Sequence, residues 1–89
     1  AGSVFKNDKK YSAGFLIDNV GLKGTRFGDA EISTKHANFF INHGNAKSSD
    51  MLKLISLARK EVYKKYKILL ELEIKVIGFE NQELELINV

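Results

Sequence analysis

The sequence predicts an α+β domain: a small mixed or antiparallel sheet with two helices, in the order β-α-β-β-β-α-β. Three observations lead there. Two stretches carry apolar residues at helical spacing, around residues 12–20 and 49–66. Between them lie short apolar runs separated by turn-forming glycine, aspartate and asparagine. After the second helical stretch the pattern changes to alternation, the signature of a strand. Strands grouped between helices, instead of alternating with them one by one, favour α+β over α/β.

Each element has its own reason. Val4 and Phe5 read as a first short strand, followed by the polar run Lys6, Asn7, Asp8, Lys9, Lys10. In SAGFLIDNV, Phe15, Leu16, Ile17 and Val20 fall at near-helical spacing. Ser12 suits the N-cap of that helix and Gly21 suits its stop. GTRF and AEIS flank Gly28-Asp29, which predicts two strands around a tight turn. NFFIN, residues 38–42, reads as a third strand of this group, ended by His43-Gly44-Asn45.

From Ser49 to Tyr66 the apolar residues Met51, Leu52, Leu54, Ile55, Ala58, Val62 and Tyr66 form a stripe with lysines opposite. Ser48 or Ser49 is expected to cap this helix, and Asp50 suits the positive end of its dipole. In LELEIKVIGF, Leu70, Leu72, Ile74 and Val76 point one way, and Glu71, Glu73, Lys75 and Ile77 the other. That alternation predicts a half-buried strand. Glu80-Asn81-Gln82 is expected to turn the chain into a last strand at residues 83–89.

Composition bounds the function. Eighty-nine residues make one small domain with a modest core. There is no cysteine, hence no disulfide framework and no thiolate metal site. No apolar run is long enough for a membrane span and no signal peptide is visible, so a cytoplasmic setting and no membrane partner are the expectation. Charge is segregated: residues 1–67 hold 13 Lys/Arg against 6 Asp/Glu, and residues 68–89 hold 1 against 5. A basic first part points to an anionic ligand or to a solvated lysine-rich surface.

Few side chains announce chemistry by spacing. His36 and His43 are seven apart without carboxylates at ligand spacing, so each reads as a surface or packing histidine. Gly21-Leu22-Lys23-Gly24 matches the GxxG loop that clamps nucleic-acid backbone in KH domains. A KH loop leads into a second helix, however, whereas this one leads into the β-like Thr25-Arg26-Phe27. A small basic nucleic-acid-binding module using GLKG is therefore the alternative function, and no specific nucleic acid partner is expected. Glu73 alone reads as a solvated strand glutamate, and Ser3 alone is uninformative.

Taken together, the blocks AGSVFKN, YSAGFLIDNVGLKG, GDAEISTKHANFFIN, GNAKSSDMLKLI and LELEIKVIG resemble the C-terminal domain of the UDP-N-acetylenolpyruvoylglucosamine reductases, the MurB-type flavoenzymes of peptidoglycan synthesis. The resemblance covers residues 1–78. It implies that residues 1–89 are a C-terminal substrate-binding domain, separated from the flavin-binding domains that precede it in the family. It also implies an oxidoreductase chemistry in which NADPH reduces FAD and the flavin then reduces UDP-N-acetylglucosamine enolpyruvate to UDP-N-acetylmuramate. The fragment alone is expected to be inactive.

The same resemblance assigns residues. Ser3 matches the serine that gives a proton to the substrate; apart from the resemblance, the charge of Lys6 is expected to contribute a favourable field there. Glu73 matches the glutamate beside the enolpyruvyl group. Asn7 is placed towards the nucleotide diphosphate, His36 faces the nucleotide, and Lys75 is a basic group near Glu73 suited to an anion. Ser3 and Glu73 can meet if the first and last strands lie near each other at one sheet edge. The chain departs from the family pattern in having no proline. Asp8 stands where the family has proline after asparagine, which is expected to loosen Asn7. Leu72 stands where it has proline between glutamates, a change a strand accommodates. Residues 80–89 match no motif of the family, and their role is unknown.

Overall fold

The computed structural model describes residues 3–73. In chain order its elements are helix α1 (Ala13–Asn19), strand β1 (Arg26–Phe27), strand β2 (Ala30–Ile32), strand β3 (Phe40–Asn42) and helix α2 (Ser48–Tyr66). The strands form an antiparallel meander in the order β1-β2-β3. This is the α+β arrangement expected, with two helices on a small antiparallel sheet.

Helix α1 starts where a serine can cap it. Ser12 is extended and its Oγ accepts the Phe15 N–H at 3.1 Å. Gly21, at φ +77°, ends the helix as the sequence suggested, and its N–H donates to the Asp18 carbonyl. Leu16 and Ile17 face inwards and are fully buried, whereas Phe15 stays half-exposed.

The β1–β2 hairpin turns on Gly28-Asp29, pairing Phe27 with Ala30 and Arg26 with Glu31. Gly28 has φ +55°, which the first residue of so tight a turn requires. The third strand begins at Phe40, two residues later than NFFIN suggests. Asn38 belongs to the preceding turn, because its side chain is engaged elsewhere.

Helix α2 buries Leu54, Ile55, Ala58 and Val62 against the sheet and α1, the stripe read from the sequence. Its start differs from expectation. Ser48 and Ser49 are already helical, and Lys47 occupies the cap position without an acceptor on its side chain. Asp50 substitutes: its carboxylate accepts the Lys47 N–H at 3.2 Å. Lys67, at φ +58°, closes the other end and donates its N–H to the Tyr63 carbonyl.

The first and last strand segments meet. Phe5 and Leu72 form a single antiparallel bridge. Lys6 N–H donates to the Glu71 carbonyl at 2.8 Å, and Glu73 N–H donates to the Val4 carbonyl at 2.9 Å. Burial alternates through Leu70, Glu71, Leu72 and Glu73 as predicted for a half-buried strand. The rest of that strand and the final strand expected at 83–89 lie outside the described residues. Phe5 is 1% exposed and packs edge-to-face on Phe40, at 6.1 Å between ring centres. The core thus joins the two ends of the chain to the sheet and to α2.

Candidate functional site

A cleft of about 360 Å³ lies where the Ser3–Asn7 segment, the start of α1 and the β2–β3 loop converge. Ser3, Asn7 and His36 all line it. Residues assigned from two separate stretches, Ser3 and Asn7 in one and His36 in the other, therefore share one cavity. Glu73 is exposed and is absent from the lining, but its backbone is bonded to Val4, the residue after Ser3. Lys75 lies outside the described residues.

Each lining residue is placed by a local cause. Asn7 Oδ1 accepts the Ala13 N–H at 3.0 Å, so this side chain helps to cap α1 while facing the cleft. The loosening expected from the missing proline is offset at Asp8. Its N–H donates to the Tyr11 carbonyl at 2.9 Å, and its Oδ2 accepts the Lys10 N–H at 3.0 Å. A proline could make neither bond. His36 is held by Ser33, a buried serine whose Oγ accepts the N–H groups of both Lys35 and His36 at 3.1 Å. The His36 ring leans on Phe39, 5.4 Å between ring centres.

The cleft also contains groups that the sequence did not single out. Lys23 and Lys35 bring positive charge, and Phe15 and Phe39 bring exposed aromatic surface. Lys23 is paired with Asp18 at 3.4 Å across α1 and the following loop. This explains the GLKG stretch: it is a helix stop followed by a turn into β1, with Leu22 buried and Gly24 at φ +83°. A signal for Lys35 was present in its adjacency to His36, but nothing local placed it in the same cleft as Lys23. Outside the cleft, His43 is hydrogen-bonded to Glu31 at 2.9 Å on the sheet surface.

Asn38 was also missed. It is 8% exposed and uses its whole amide on Phe5: Oδ1 accepts the Phe5 N–H and Nδ2 donates to the Phe5 carbonyl, both at 2.9 Å. Its own carbonyl accepts the Val4 N–H at 2.8 Å. The side chain imitates a neighbouring strand on one flank of Val4-Phe5, while residues 71–73 occupy the other.

Two lysines, an imidazole, an asparagine and a serine line the cleft together with Asp18, a set that can bind a small anion-bearing ligand. A family model for the C-terminal domain of UDP-N-acetylenolpyruvoylglucosamine reductase matches residues 1–77. A reductase of that name from Caldicellulosiruptor bescii is 59% identical over 78 residues, covering 88% of this chain and 25% of the relative. One from Synechococcus sp. (strain JA-3-3Ab) is 49% identical over 77 residues, covering 86% and 25%. The crystal structure of UDP-N-acetylenolpyruvylglucosamine reductase (MurB) from Thermus caldophilus superposes with a TM-score of 0.68 at 46% identity, covering 83% of this chain and 26% of that one. The chain thus spans about a quarter of the length of these relatives. Among the described residues, no helix is long and apolar enough to cross a membrane.

Proposed function

The chain belongs to the UDP-N-acetylenolpyruvoylglucosamine reductase family as its C-terminal domain, and from that premise we propose that it binds the UDP-sugar enolpyruvate and protonates it during reduction. The observation that carries this reading is the shared cleft. Ser3, Asn7 and His36, matched to the family one by one, line a single cavity together with Lys23 and Lys35. A volume of about 360 Å³ suits part of a nucleotide-sugar, near the lower end of the ~300–1,000 Å³ usual for small-molecule sites.

The family implies FAD and NADPH. A half-buried Ser3 in the lining of a polar cleft fits a domain that presents substrate to a flavin held elsewhere in the reductase. When bound, the reduced flavin supplies hydride for the methylene carbon of the enolpyruvyl ether. The residues of this chain do the rest. Lys23, Lys35, His36 and Asn7 attract and orient the diphosphate and nucleotide, since cations with hydrogen-bond donors match phosphate oxygens. Lys75 is assigned a supporting anion contact near Glu73.

Ser3 holds the proton. As the carbon–carbon double bond is reduced, Ser3 Oγ–H passes its proton to the carbon bearing the ether oxygen and carboxylate. The resulting alkoxide regains a proton from solvent. A serine is a weak acid, so the step needs local positive charge, for which Lys6 is the nearest basic residue in sequence. Glu73 polarises the enolpyruvyl group. The bond between Glu73 N–H and the Val4 carbonyl keeps the two residues in register. The substrate and a cytoplasmic setting are part of the same proposal.

Stopped-flow absorbance of the flavin in the intact reductase tests the assignment. Ser3→Ala and Glu73→Gln should slow reoxidation by the enolpyruvyl substrate, for Ser3→Ala by the ~10²–10⁴-fold of a positioned general acid. Ser3→Cys should retain more activity, because a thiol also donates a proton. A Ser3→Ala enzyme reoxidised at the wild-type rate would refute the proton-donor role.

A further inference from the structure

We propose that Asn38 is a positioning residue for proton transfer, acting by holding the Val4-Phe5 backbone so that Ser3 stays aimed into the cleft. The inference rests on the proton-donor reading of Ser3 and goes beyond it to the device that aligns the serine.

The geometry is specific. Residues 3–5 carry no helix and only the one-residue bridge at Phe5, so the backbone around Ser3 has little regular structure to fix it. Three hydrogen bonds to Asn38 replace a strand partner: two from the side-chain amide to Phe5 and one from the main chain to Val4. Only a primary amide of this length both accepts from an N–H and donates to the carbonyl of the same residue. Serine, threonine and aspartate each lose one half of the pair. The opposite flank is closed by Lys6 N–H to Glu71 and by Glu73 N–H to Val4. Asn38 thereby braces the segment that also sets the register of Glu73.

Asn38 lines the cleft beside Ser3, yet its polar atoms are spent on Phe5. Its loss is therefore expected in the rate of proton transfer at saturating substrate, with little change in half-saturating substrate concentration. A displacement of about 1 Å in a reacting group costs up to ~10²-fold, which is the scale expected for Asn38→Asp at pH 8. There the carboxylate still accepts the Phe5 N–H but faces the Phe5 carbonyl with no proton to donate.

Protonation should repair that variant. A neutral aspartic acid has the shape of asparagine, and its O–H can donate to the Phe5 carbonyl. Burial raises a carboxyl pKa, so the neutral form is gained as pH falls and lost as pH rises through that raised value. His36, Lys35, Lys23 and Asp18, which line the cleft, are common to both proteins. The readout is therefore the ratio of variant to wild-type reoxidation rate, which should climb towards one as pH is lowered from 8 towards the enzyme's acid limit.

The experiment uses the intact reductase as wild type, Ser3→Ala, Asn38→Asp and Asn38/Ser3 double variant, with flavin content and thermal melting reporting the fold. Asn38→Ser, neutral and smaller, replaces Asn38→Asp if the latter fails to retain flavin. Stopped-flow reoxidation should show each Asn38 substitution slow in the Ser3 background and nearly silent in the Ser3→Ala background, because a residue acting through Ser3 has nothing left to position. Penalties that multiply in the double variant, or Asn38 variants reoxidised at the wild-type rate while Ser3→Ala is slow, would overturn the proposal and leave the proton-donor reading intact. Ser3→Ala at the wild-type rate would remove the reading beneath it.

Discussion

Replacing Gly28 by alanine should destabilise the domain by about 2–3 kcal/mol, from two separable causes. The first is the backbone. Gly28 sits at φ +55°, a region that costs an L-residue about 1–2 kcal/mol. The second is steric. A Cβ there would lie 2.5 Å from Asp50 Oδ2 and 3.0 Å from Asp50 Cγ. The carboxylate must swing away, and it would abandon the Lys47 N–H it caps at 3.2 Å. Loss of a helix N-terminal acceptor costs about 0.5–2 kcal/mol, typically ~1. Urea unfolding measures the total. With a slope of about 1–3 kcal/mol per molar for small proteins, the midpoint should fall by roughly 0.7–3 M. The coupling is tested in an Asp50→Ala background, where the carboxylate is already gone. Gly28→Ala should then cost about 1 kcal/mol less than in wild type, a coupling within the range for residues in contact. A total below about 0.5 kcal/mol, or equal costs in the two backgrounds, would refute the close approach of hairpin and helix.

Further outcomes follow from single contacts. Asp8→Pro restores the family's residue but removes the N–H bonded to Tyr11 and the carboxylate bonded to Lys10; it should lower the melting temperature, and a rise would show that unfolded-state entropy outweighs those bonds. Asn7→Ala should cost about 1 kcal/mol through the lost acceptor for Ala13 N–H and should also weaken UDP binding, so a calorimetric titration with unchanged affinity would leave Asn7 a cap alone. Lys35→Gln and Lys23→Gln in the intact reductase should each weaken UDP binding, with a salt dependence shallower than that of wild type; affinity insensitive to salt would count against a cationic cleft. Arg59 is 8% exposed, and burial holds its pKa below the usual arginine value. At neutral pH it is charged in folded and unfolded chains alike, so this penalty is constant and would ease only near the lowered pKa. Arg59→Met should be neutral or stabilising in thermal unfolding, and a loss above about 2 kcal/mol would instead reveal a required charge partner.

Sequence patterns determined the elements, because each is encoded by neighbours. The α2 stripe, Ser12 and Gly21 at the ends of α1, Gly28-Asp29 between β1 and β2, and the alternation from Leu70 are all period or cap signals spanning a few residues. The family was legible for the same reason, in ordered blocks of residues. What the spacing left open was long-range. Asp50 reaches back to Lys47 in place of the expected serine cap, and its carboxylate lies against Gly28 of the hairpin. Asn38 reads as the first residue of a strand, and only the folded chain turns its amide onto Phe5, 33 residues away. The meeting of Val4 with Glu73, and of Lys23 with Lys35 around one cleft, likewise depends on how α1, the meander and α2 pack. Local propensity acts through adjacent dihedral angles and side chains. A binding cleft is made by burying apolar faces against one another, which brings polar residues together without any trace of that proximity in their spacing.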